Sequence, residues 1–325
     1  MIMCKKNIVT KGNNKRYLYY FLYNAIRKKV LDERIGVRLT KCKYKGVPYP
    51  GRDETNDIIA EFIIKGEPFA LVRPGNGESA FALLGEEEIL FGRHLYKRRG
   101  ENYNRFALML GGENERYQNL FRRDVADADI YAMFPDYLLE GYLPETYSNN
   151  SKVIDAWNMG PINAKRPWTD ALKGKRVLVV SQFADYLVEQ YSKREKLYNG
   201  EWMFPEMELI PVKTIWYFAR NEQFSSWFDA LNYLYDEIMK HDFDIALLSC
   251  GPFAINLAPM IKRAGKQAIQ YAGELQMLFG IRGARWDDNP LFKKYFNDSW
   301  IRITKEQVGI SENDSKNMDG GVCYW

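Results

Sequence analysis

Lys175-Arg-Val-Leu-Val-Val-Ser181 is the stretch that decides the architecture. A strand with one wet face alternates apolar and polar residues. An unbroken, Val-rich run of this length fits a strand covered on both faces. Asp244-Ile-Ala-Leu-Leu-Ser-Cys250 repeats the pattern. Shorter versions stand at Phe69-Ala-Leu-Val-Arg73, Asp129-Ile-Tyr-Ala-Met-Phe134, Glu208-Leu-Ile-Pro-Val-Lys213 and Gln267-Ala-Ile-Gln-Tyr271. Between these runs the spacing of apolar residues predicts helices over 57–65, 80–84, 104–123, 184–196, 224–240, 253–264 and 274–279, the third interrupted at Gly111-Gly112. Buried strands alternating with helices imply an α/β fold: a mostly parallel sheet with helices on both faces. The stretch 135–172, rich in Pro, Tyr and Asn, reads as irregular.

The ends read differently. Residues 1–52 hold 14 Lys/Arg against only Asp32 and Glu33, while the remainder carries 32 basic and 40 acidic side chains. The expected organisation is therefore a basic helical leader (1–50), a catalytic α/β domain (51–305) and a polar, poorly ordered tail (306–325). The leader's helix is expected over Lys15–Leu31. Its aromatic residues, flanked by Lys15-Arg16 and Arg27-Lys28-Lys29, suit the headgroup level of an anionic membrane. Equally, Leu18, Leu22 and Ile26 form a stripe that can pack on the domain. With 46% apolar residues in 325, a sizeable core is easily built, and global disorder is excluded. The longest dense apolar stretch, about ten residues from Tyr17, is too short to span a bilayer, which needs ~20. Four scattered cysteines and two histidines exclude a zinc site or disulfide framework and make a reducing cytoplasm the expected location. No nucleic-acid-binding module is recognisable, so no specific nucleic acid is expected as partner.

In open α/β sheets, ligands bind beyond the carboxyl ends of the strands. Arg73-Pro-Gly-Asn-Gly-Glu78 is such an end. Gly75 and Gly77 let the backbone approach a ligand, the following helix offers free N–H groups, Arg73 can pair with phosphate, and Glu78 can ligate a cation or act as a base. An ordinary strand–turn–helix junction accounts for the same residues. Ser249-Cys-Gly-Pro-Phe253 is a second strand end, where Ser249, Gly251 and Pro252 can hold a nucleotide or simply make a turn. Cys250 reads as a buried structural thiol. At the third, Ser181 and Gln182 precede a helix whose Arg194 can reach a phosphate or remain solvated.

Taken together the segments resemble the bacterial GT-D type glycosyltransferase family. The resemblance spans roughly Asp57 to Trp286. It rests on Leu71–Glu78, on Arg166-Pro-Trp168 with Gly174–Phe183, on Glu189–Glu195, and most specifically on Gly251-Pro-Phe253 running on to Gly273-Glu-Leu-Gln-Met-Leu-Phe-Gly-Ile-Arg-Gly-Ala-Arg-Trp286. It implies a Rossmann-like nucleotide-sugar site that includes Gln276, and an Asp-x-Glu motif binding Mn²⁺ or Mg²⁺ and the donor diphosphate. Here the motif stands as Asn76-Gly-Glu78, with an amide for the first carboxylate. The expected activity is transfer of a sugar from a nucleotide sugar, a UDP-sugar by preference, to a glycan or lipid-linked acceptor in cell-surface polysaccharide assembly. Arg73 and Glu78 are the expected catalytic residues. The alternatives are another nucleotide-dependent transferase, or a non-catalytic nucleotide-sugar-binding or scaffold protein.

Overall fold

The structure, a computed structural model, describes residues 11–26, 43–91, 107–135, 141–200, 203–217, 223–310 and 324–325. Seven strands form one sheet: β1 (Ala70–Val72), β2 (Ile130–Met133), β3 (Lys152–Asp155), β4 (Arg176–Ser181), β5 (Glu208–Lys213), β6 (Ile245–Ser249) and β7 (Gln267–Gln270). Their order is β3-β2-β1-β7-β6-β4-β5, and every pairing is parallel. The main helices are α1 (Lys11–Ile26), α2 (Arg52–Lys65), α3 (Asn76–Phe91), α4 (Asn114–Ala126), α5 (Ala184–Tyr191), α6 (Trp227–Met239) and α7 (Ala254–Arg263).

The period of two along each strand builds two cores, one on each face of the sheet. Leu178 and Val180 of β4, with Ala246 and Leu248 of β6, join Tyr117 and Phe121 of α4, Leu231 and Leu234 of α6 and Leu257 of α7. Val177, Val179, Ile245 and Leu247 point the other way, toward Ile59 and Ile63 of α2, Leu187 of α5 and the buried Trp168. The unbroken apolar run thus reflects a sheet dry on both sides, as expected for the α/β class.

Three expectations change. First, 135–172 contains the edge strand β3, whose Lys-Val-Ile-Asp sequence buries only Ile154 fully. Two apolar residues between charged ends, inside a stretch rich in Pro, Tyr and Asn, give little local signal for a strand. Second, Gly111 and Gly112 both sit at positive φ and stop the helical turn before them, so α4 begins at Asn114. Third, the described parts of both ends pack on the fold, while 311–323 of the expected tail lies outside the described residues. In α1, Tyr17 and Tyr20 are buried, their rings edge-on to Tyr142. The Tyr17 hydroxyl donates to buried Glu87, and that of Tyr20 to Glu145 at 2.5 Å. Leu18, Leu22 and Ile26, the stripe expected to supply packing, stand outward. The part of the expected helix beyond Ile26, with Arg27-Lys28-Lys29, lies outside the described residues. At the other end of the chain, Val308 and Ile310 are buried, and Tyr324 and Trp325 pack among Phe183, Trp216 and Trp286.

Candidate active site

Because all seven strands run the same way, their carboxyl ends open on one side of the sheet. Residues following every one of them line a single cavity of about 640 Å³. Arg73, Gly75, Asn76, Gly77 and Glu78 enter it from the end of β1, and Ser249, Gly251 and Pro252 from the end of β6. Gln182 comes from β4, Phe134 from β2, Trp157 from β3, Thr214 and Trp216 from β5, and Gly273 and Glu274 from β7. The volume is within the ~300–1,000 Å³ usual for ligand clefts.

The loop after β1 is built for close approach. α3 starts at Asn76, and the Ser79 N–H already donates to the Gly75 carbonyl at 3.0 Å. The Glu78 carboxylate folds back over Gly75, where a Cβ would lie 2.6 Å from its Oε2. Glycine at 75 therefore makes the space that Glu78 occupies. The Glu78 charge also acts on the phenols of Tyr117 in α4 and Tyr131 in β2. Burial pushes both phenols well up, and the Glu78 charge pushes them further. Arg73 is buried. Its Nη1 donates to the Tyr271 carbonyl at 2.8 Å, its Nη2 meets Glu274 Oε2 at 3.5 Å, and its guanidinium lies 4.8 Å from the Phe134 ring centre. Its Nε is buried with no hydrogen-bond partner. Ala272, between Tyr271 and the glycine at 273, holds a left-handed φ of 67° that alanine rarely adopts. Strain of this kind marks the β7 loop as constrained by its surroundings, here by Arg73 on the Tyr271 carbonyl.

At the end of β6, Gly251 has φ 56°, which suits glycine, and Pro252 opens the turn leading into α7. Cys250 is a free, buried thiol whose pKa burial pushes up. It also lines the cavity between Ser249 and Gly251.

Three expected site residues lie outside the cavity lining. Ser181 is buried, and its Oγ accepts the Phe183 N–H at 3.1 Å. Gln276 is buried, and its Nε2 donates to the Ile281 and Tyr324 carbonyls. Arg194 lies with its guanidinium 4.7 Å from the Tyr191 ring centre. Ser181 and Gln276 thus shape loops that border the cleft. Conversely, Glu274, Thr214, Trp157, Trp216 and Tyr324 line it without having been singled out. For Glu274, its place inside the conspicuous 273–286 run was a usable signal.

Residues 51–277 match the GT-D fold-like domain family. Among solved structures, a glycosyltransferase (DUF1792) from Streptococcus sanguinis is similar at 12% identity and a TM-score of 0.39, over 77% of this chain and 94% of that one. A structure of the conserved domain of unknown function 1792, described as a distinct glycosyltransferase fold, is similar at 14% identity and a TM-score of 0.41, over 78% and 95%. No curated protein matches the sequence.

Proposed function

Since this chain belongs to the GT-D fold-like family of glycosyltransferases, we propose that its cleft transfers a sugar from a UDP-sugar to a hydroxyl of a glycan or lipid-linked acceptor in cell-surface polysaccharide assembly. The observation that carries this reading is the convergence of Arg73, the α3 N-terminus, Glu78 and the Gly251-Pro252 turn on one cavity. In the reaction the bond from the sugar's anomeric carbon to the diphosphate breaks, the bond to the acceptor oxygen forms, and the acceptor proton leaves to a base. Charge accumulates on the departing diphosphate. A buried guanidinium and the N–H groups of a helix's first turn are preorganised donors for that charge.

The residues present fit a divalent cation. Glu78 and Asn76 offer a carboxylate and an amide oxygen on the cavity wall. No cluster of three or more acidic, His or Cys ligands exists among the described residues. That set suits Mg²⁺ or Mn²⁺, which typically use one or two protein carboxylates and take other oxygens from substrate phosphates and water. Such an ion would supply Lewis-acid stabilisation of the leaving diphosphate. Glu78 and the Asn76 side-chain oxygen would hold it.

The reading extends to location. α1 presents Leu18, Tyr19, Leu22 and Ile26 outward, at 40–63% exposure, with Lys15 exposed beside them. Such a face suits contact with an anionic membrane carrying a lipid-linked acceptor. No helix among the described residues is long and apolar enough to cross a membrane.

The test is hydrolysis of UDP-sugars with Mn²⁺ or Mg²⁺, together with binding of the same donors. Turnover supports the transferase. Binding without turnover would make the chain the non-catalytic binder that the amide at 76 suggests. A chain that neither binds nor turns over these donors overturns the reading.

A further inference from the structure

The aromatic residues of the cavity wall fall into two groups of different chemistry. At the β3 edge stand Phe134 and Trp157, whose ring centres are 4.8 Å apart. The other group is Trp216, Trp286 and Tyr324: the Trp325 ring centre lies 6.1 Å from that of Trp216 and 6.4 Å from that of Tyr324, and the Arg285 guanidinium lies 5.6 Å from the ring centres of both Trp286 and Tyr324. Thr214, two residues before Trp216, also lines the cavity; it is only 7% exposed, and its Oγ1 has no hydrogen-bond partner. A nucleobase needs both features together. Its faces want a ring to stack on, and its edge wants hydrogen-bonding atoms. A sugar's apolar face needs only the ring.

Tyr324 is held there by the backbone around it. The Gln276 amide donates to its carbonyl at 3.3 Å. The next residue's carbonyl, that of Trp325, accepts from the Ala284 N–H at 3.1 Å and from Arg302 at 2.8 Å. A Cβ on Gly273 would lie 2.5 Å from the Tyr324 ring, so glycine at 273 leaves the room in which the ring sits. Residues 285, 286 and 324 all lie beyond the region that matches the family, 51–277. The family region builds the centre of the cleft, and the chain beyond it completes the second aromatic group.

We propose that Tyr324 and Thr214 form the nucleobase subsite of this cleft: Tyr324 gives the stacking face and the Thr214 hydroxyl a hydrogen bond to the base edge. The proposal rests on the nucleotide-sugar reading above and specifies where the nucleoside half of that ligand sits. Tyr324 is on this account a specificity-determining residue.

The experiment is calorimetric titration of the full chain, with Mg²⁺ present, using UDP and inorganic pyrophosphate as probes. The proteins are wild type, Tyr324→Ala, Tyr324→Phe, Thr214→Val and Gly273→Ala. Circular dichroism melts confirm that each variant folds. Tyr324→Ala should weaken UDP on the order of tenfold, the size of one base–aromatic stack, and leave pyrophosphate unchanged. Tyr324→Phe should retain wild-type affinity, because the ring face is kept. Gly273→Ala should behave like Tyr324→Ala, because its methyl displaces the ring, and Thr214→Val should lose UDP affinity alone. Wild type that binds UDP while Tyr324→Ala binds it equally well overturns the proposal and leaves the transferase reading standing. Equal losses for UDP and pyrophosphate also overturn it, since they indicate general damage. Wild type that binds neither UDP nor a UDP-sugar overturns the reading beneath it.

Discussion

Position 78 carries the only acidic side chain in the loop after β1, and position 76 the amide that replaces a second. Glu78→Gln keeps the shape and removes the charge. Donor turnover should fall at least ~100-fold, in the range lost when a preorganised electrostatic or acid–base group is removed. The melting temperature should hardly change. Unchanged turnover would take Glu78 out of the chemistry. Asn76→Asp works in the opposite direction: a second carboxylate beside Glu78 should tighten Mn²⁺ binding, read by titration with the metal alone. No gain would mean that residue 76 faces away from the ion. These two positions were legible because glycines at a strand end announce a close backbone approach. Thr214, Trp157 and Tyr324 were not, because nothing local marks them: each reaches the cavity only through the order of strands or the return of the chain. Ser181 and Gln276 show the converse. A polar residue at a strand end or in a conspicuous run can be consumed by the backbone of its own loop, as their bonds to Phe183 and to the Ile281 and Tyr324 carbonyls show.

At the scale of elements, the strands and their covering helices were legible wherever burial was two-sided, and the edge strand β3 was missed where it was not. What joins the elements is harder to see in sequence. Asp124 at the end of α4 is fully buried and accepts from Asn256 of α7 at 2.8 Å and from Arg263 at 3.0 Å. Burial pushes its carboxyl up, against the opposing pull of these donors. Asp124→Ala would leave the buried Asn256 amide without this partner, and should cost about 2–3 kcal/mol by denaturant unfolding. A loss within experimental error would show that α4 and α7 are held by apolar packing alone. A second tie lies at the opposite end of the sheet from the cleft. There Arg176 of β4 donates to Asp244, just before β6, at 2.7 Å, and also to Asp242. The hydrogen bond from Arg176 holds the Asp244 carboxyl below its ordinary value. A depressed carboxylate stabilises the fold above its unfolded pKa of ~3.9, and that stabilisation disappears as pH falls through the lower folded value. Arg176→Met should therefore melt earlier than wild type at pH 7, and the gap should close below about pH 4. A gap that persists in acid would assign the effect to packing. Donor turnover should be untouched.

For the whole molecule, the division of charge is the feature that the sheet does not explain: fourteen basic residues in the first 52, on a body with an excess of acids. A leader merely tethered to the domain would be removable. Here α1 is not, because Tyr17 and Tyr20 close a buried polar cluster. Glu87 accepts from Tyr17, and Glu86 accepts from Tyr142 at 3.0 Å and pairs with Arg122 at 2.7 Å. Glu86 and Glu87 lie on α3, the helix whose first turn carries Asn76 and Glu78. Deleting α1 would take the Tyr17 hydroxyl from Glu87 and disturb the helix whose first turn lines the cleft. The membrane contact must instead be tested on the outward face, with Leu18→Gln, Leu22→Gln and Ile26→Gln combined. That variant keeps both tyrosines and every charge. On vesicles containing anionic lipid at low salt, wild type should co-sediment more than on neutral vesicles, and the triple variant should lose most of that excess, since each aliphatic chain contributes by burial among the acyl chains while the cations contribute ~1 kcal/mol apiece near the surface. Donor turnover without lipid should match wild type, because the face touches nothing in the cleft. If wild type sediments equally poorly with both kinds of vesicle, the membrane contact fails, and α1 is left as a helix that the fold needs for its tyrosines.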